Sequence, residues 1–147
     1  MKNLGRFCPI FAIALGACLP SPGSRDEVAR SSSPTGRVDA VLVETNGGAT
    51  TPFGYSVYVV PKGARVPHEG EVAQLIAAVR NDSAWGVNLR WVDHSHLALE
   101  YRDARDQAIR RGIVIVGADT VMVVLRSGVV DSTAPSGGML YNLRDRR

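Results

Sequence analysis

Glu71-Val72-Ala73-Gln74-Leu75-Ile76-Ala77-Ala78-Val79-Arg80 is the segment whose period sets the fold class. Val72, Leu75, Ile76 and Val79 stand at i, i+3, i+4 and i+7, which gathers them on one helical face. Glu69 and Glu71 lie where a helix dipole favours negative charge, and Arg80 where it favours positive charge. Asn81-Asp82-Ser83 supplies a stop. The spacing predicts one helix.

On both sides of it the period is two. Val38, Ala40 and Leu42 alternate within Arg37–Glu44, and Phe53, Tyr55, Val57 and Val59 within Phe53–Val60. Thr45 to Pro52 joins them with turn chemistry, so the two runs read as a hairpin with a long loop. Val87, Leu89 and Trp91 alternate, then Leu97, Leu99 and Tyr101, around a turn at Asp93-His94-Ser95: a second hairpin. Ile113–Val116 and Val121–Leu125 flank Gly117-Ala118-Asp119-Thr120 as a third. Being apolar on both faces, these last two runs are expected to be central or covered on both sides. The charged segment Arg102–Arg111, stopped by Gly112, reads as a short helix. The expectation is α+β: one antiparallel sheet of about six strands in three hairpins, with the Glu71–Arg80 helix on one face. Met139, Leu140 and Leu143 are expected to pack back on that sheet.

The N-terminal end reads as processing. Lys2 and Arg6 precede an apolar run from Phe7 to Ala17, and no acid occurs before Asp26. The run is shorter than the roughly 20 residues a bilayer span needs. It ends Leu15-Gly16-Ala17-Cys18. That ending resembles the lipobox of bacterial lipoprotein signal peptides. The resemblance implies removal of residues 1–17, lipid (palmitate among its acyl chains) on Cys18, and a place in the cell envelope. Leu19 after the cysteine points to the outer membrane, facing the periplasm. Residues 18–36 read as a flexible linker; its stretch 19–36 carries almost nothing apolar and has an average span of roughly 23 Å. The domain is expected over residues 37–147.

Composition excludes several classes. The chain has 147 residues, 45% hydrophobic and 21% charged, which is globular and not disordered. Two cysteines make no disulfide scaffold. The net charge of +3 includes Lys2 and Arg6, so removing residues 1–17 takes two of the 17 basic residues and none of the 14 acidic ones. The pI near 9.2 therefore argues little for an anionic partner, and no nucleic-acid partner is expected.

No motif assigns a catalytic residue. No cofactor is expected, and an enzyme is the less favoured reading. Gly47, Gly48, Thr50 and Thr51 form a glycine- and hydroxyl-rich candidate binding loop that lacks a P-loop ending. His94 and His96 share one side of a strand and are the candidate metal ligands, with Asp93, Glu100, Asp119 or His68 to complete a set. Glu100, Asp103 and Asp106 are candidate acids but sit among arginines. Gly48-Ala49-Thr50-Thr51-Pro52-Phe53 leading into a strand, with the later Trp91 and Leu97-x-Leu99-x-Tyr101 strands, resembles a family of uncharacterised bacterial proteins. Many of these are small and lipid-anchored. That family is a domain of unknown function, so the resemblance implies no catalytic residue.

Three functions follow as expectations. The first is a lipid-anchored envelope protein that binds or scaffolds, with an envelope protein as a partner. The second is a metal-assisted hydrolase using His94 and His96. The third is a protective lipoprotein that blocks a toxin or a peptidoglycan enzyme. A concave pocket with convergent polar groups would favour the enzyme. A flat patch bearing Tyr55, Tyr58 or Trp85 would favour protein binding.

Overall fold

The computed structural model describes residues 23–135. The signal segment, Cys18 and the Met139–Leu143 stretch lie outside the described residues. Among the described residues there are nine strands and no helix, so the α+β expectation is corrected to all-β. The strands are β1 (Ser24–Ser32), β2 (Val38–Asn46), β3 (Gly54–Pro61), β4 (Ala73–Ile76), β5 (Asn88–Trp91), β6 (His96–Glu100), β7 (Asp106–Ile109), β8 (Ile113–Val116) and β9 (Asp119–Arg126). They form two sheets, ordered β1-β2-β3-β4-β7 and β5-β6-β9-β8. The main core lies between the sheets. Val38, Ala40, Leu42, Tyr55, Val57 and Leu75 from the first meet Leu97, Leu99, Val121 and Val123 from the second. A smaller cluster of Val41, Val43, Tyr58 and Val60 lies on the other face of the first sheet, against Ala64 and Val66.

The expected hairpins β2–β3, β5–β6 and β8–β9 all pair antiparallel. The expected helix does not form. Its centre is β4, with Ala73 and Leu75 buried and Gln74 and Ile76 half-buried. The run Val-Ala-Gln-Leu-Ile satisfies both periods, and a helix of about ten residues is marginal without tertiary help. Pairing decides. β4 docks on the edge of β3 from Gly54↔Ile76 to Val57↔Ala73, satisfying backbone groups that a helix lying on the sheet face would leave open. Ala77 then breaks the strand at φ 55°. The expected short helix in Arg102–Arg111 is replaced by β7, which pairs with β4.

Residues 24–32, read as linker, form the edge strand β1 on β2. Charge, not apolar alternation, holds it. A bulge between Glu27 and Ala29 changes the alternation, so that Glu27 and Arg30, three apart, share the face of Asp39. Arg30 bonds both Glu27 oxygens, at 2.8 and 2.9 Å, and Asp39 Oδ2 at 2.9 Å. The Ser32 hydroxyl and the Gly63 N–H donate to the same aspartate, at 2.7 and 2.8 Å. Asp39 is only 2% exposed, and its carboxylate is well supplied with donors.

Two further expectations are corrected. The sheets are not wholly antiparallel: β6 and β9 pair parallel, His96↔Met122 to Glu100↔Arg126. β8 is an edge strand, not a covered one, with Ile113 62% and Ile115 72% exposed. The sheets are tied at the start of β2 by Arg37, which bonds both Asp119 oxygens at 2.8 and 2.6 Å. On another side, Trp91 Nε1 donates to the Ser31 carbonyl at 3.0 Å.

Candidate functional site

At the opposite end of β2 the strands line up one row of residues. Arg25, Thr45, Gly54 and Ile76 are consecutive cross-strand partners over β1, β2, β3 and β4. Gly54 leaves a dip in that row where a side chain would otherwise stand. A Cβ there would come within 2.6 Å of the Thr45 hydroxyl, which donates to the Gly54 carbonyl at 3.3 Å. The β2–β3 loop walls the dip. Asn46 Oδ1 accepts the Gly48 N–H at 2.9 Å, and the Thr51 N–H donates to the Gly48 carbonyl at 3.0 Å. These two bonds fold the loop over, so that Gly47 packs on the Thr51 side chain with no room for a Cβ, at 2.9 Å. Gly23 packs equally closely on the Asn46 carbonyl, at 2.8 Å.

The result is a pocket of about 530 Å³. The loop, the floor row, Ser24 and Arg105 line it, and no Asp, Glu, His or Cys does. Arg25 lies over the Tyr58 ring at 5.4 Å and bonds the Pro67 carbonyl at 2.8 Å. Arg105 has no ion-pair partner among the described residues, and the Ser24 hydroxyl is buried without a hydrogen-bond partner. Of the candidate loop, Gly47 and Thr51 line the pocket; Gly48 and Thr50 are exposed and do not. Sequence reasoning found the loop. It missed Arg25 and Arg105, because the first lay in a presumed linker and the second in a presumed helix.

The other candidates are placed elsewhere. His96 Nδ1 lies 2.8 Å from Asp93 Oδ2 at the β5–β6 turn. Asp93 also accepts the Ser95 and His96 N–H groups, which with the imidazole hold its carboxyl far below the usual range. That is turn-forming geometry. His94 lies near Asp119, whose carboxylate is already bound by Arg37. Among the described residues no three His, Cys, Asp or Glu side chains gather as a metal set. Glu100 is paired with Arg90 and Arg126 at 2.6 and 3.7 Å. The flat aromatic patch is not built from Tyr55 or Tyr58, which are 1% and 3% exposed, and Trp85 is partly buried against Phe53.

One acid lies behind the pocket, on the inner face. Glu44 is buried beside Tyr55, its cross-strand partner. Burial pushes its carboxyl up, the Tyr55 hydroxyl lowers it, Asp26 adds to the rise and Arg80 opposes it. Burial and the same carboxylate push the Tyr55 phenol far up. Alternation along β2 turns Glu44 away from the face of Thr45, so it supplies no base to the pocket.

No protein-family model, no curated protein and no solved structure matches the chain. Function therefore rests on the chain's own chemistry.

Proposed function

We propose that this protein is a lipid-anchored binding module of the bacterial cell envelope. Residues 1–17 are a signal peptide, Cys18 carries the lipid, and the β-domain faces the periplasm from the outer membrane. The lipobox-like Leu15-Gly16-Ala17-Cys18 and the resemblance to small lipid-anchored bacterial proteins support the anchor. The observation that carries the binding role is the pocket at the β1–β2–β3–β4 end. It is concave and of ligand size, and no Asp, Glu, His or Cys lines it to act as a general base. A site of that composition favours holding a molecule over transforming it.

Metabolic labelling with a palmitate analogue tests the anchor. The wild-type chain is expected to be labelled and to sediment with membranes, and Cys18→Ser is expected to lose both. Labelling that persists in Cys18→Ser would overturn the proposal.

A further inference from the structure

We propose that the pocket takes a small organic anion, one phosphate or carboxylate group on an apolar body, with Arg105 as its counter-charge. This rests on the pocket being the binding site. Two observations at the site carry it.

The first is charge. Two arginines and no acid line the pocket. The nearest acids by register are Asp106, opposite Ile76 one strand beyond the floor, and the cross-strand pair Asp26 and Glu44, beside Arg25 and Thr45 in sequence; none of them lines it. Arg30, Arg37, Arg90, Arg102 and Arg126 are each paired with a carboxylate; Arg105 is among the arginines that are not, and of those only it and Arg25 line the pocket. A free guanidinium offers a planar fork that matches phosphate and carboxylate oxygens. The second is the floor. Gly54, Ile76 and Pro52 offer carbon surface to an apolar body while the polar groups stand at its rim.

Position adds the source of the ligand. Cys18 and Ser24 are six residues apart, so their Cα atoms are separated by at most about 20 Å. Gly23, Ser24 and Arg25 line the pocket, which is therefore held close to the bilayer surface when Cys18 is lipidated. A phosphate there is presented either by a lipid headgroup or by a soluble phosphate ester. The recognition chemistry is the same.

The test uses the full chain and amide chemical shifts at Gly47, Thr51, Gly54 and Ile76. Hexyl phosphate and hexanoate are expected to move these amides at concentrations roughly tenfold lower than 1-hexanol, and hexylamine is expected to fail. Arg105→Gln should erase the advantage of the anions over hexanol, and Arg105→Lys should keep part of it. Phosphatidylglycerol vesicles that compete with hexyl phosphate identify the headgroup as the source; vesicles without effect identify the soluble ester. Hexanol binding as well as the anions, or an unchanged preference in Arg105→Gln, would overturn the anion assignment and leave a binding pocket. If no probe moves these amides, the pocket is not the binding site and both readings fail.

Discussion

At the scale of single residues, two buried carboxylates sit on opposite faces of β2 and pull stability in opposite directions with pH. Burial works against the Asp39 charge, but the Gly63 N–H, the Ser32 hydroxyl and the Arg30 guanidinium outweigh it and hold the carboxyl below its ordinary value. The stabilisation is complete above about pH 4 and is lost as the pH falls through the lower value of the folded state. Asp39→Ala leaves Arg30 half-buried and undone on one side, and is expected to cost about 3 kcal/mol at neutral pH in urea denaturation. Glu44 has the reverse sign. Its carboxyl is raised in the fold, so the folded chain binds the proton more tightly than the unfolded one. Stability then falls as pH rises from the ordinary carboxyl value through the raised one. Glu44→Gln is expected to match wild type at the acidic end of that window and to exceed it above. A constant difference across the window would contradict the assignment. Neither carboxylate was legible in the sequence, because their burial depends on which strands flank β2.

At the scale of elements, the three hairpins were legible because their runs alternate and turn residues separate them. β4, β7 and β1 were not. Val72, Leu75, Ile76 and Val79 fit a helix as well as a strand, and the arbiter was an open edge on β3 that only the fold supplies. β1 has two apolar residues, Val28 and Ala29, and its pairing is held by Arg30 and Asp39 across the bulge. Apolar periodicity is blind to such a strand. The apolar β8–β9 runs misled in the other direction, since Ile113 and Ile115 face outward on an edge. Replacing Ile113 or Ile115 with Thr is therefore expected to change stability by no more than about 0.5 kcal/mol. Leu75→Ala, at a position with no exposure, is expected to cost about 2–5 kcal/mol. Equal losses in the two sets would mean that β8 is covered. The candidate site was half legible: turn chemistry marked Gly47 and Thr51, while Arg25 and Arg105 come to them only after β1, β4 and β7 have paired.

At the scale of the whole molecule, β2 has two unlike ends. Its start is locked to the second sheet through Arg37 and Asp119, and its far end carries the pocket beside the first residues of β1. The nine residues of β2 span about 30 Å, which separates the two ends by more than a headgroup layer. If Cys18 carries the lipid as proposed, the short tether to Ser24 places the pocket end nearer the membrane than the Gly117-Ala118 turn. Lipidated protein in nanodiscs containing headgroup-nitroxide lipid reads that orientation directly. Paramagnetic broadening is expected to be strongest at the Gly47, Thr51 and Gly54 amides and weak at Gly117 and Asp119. Equal broadening at both ends, or stronger broadening at Gly117, would contradict a pocket held against the bilayer.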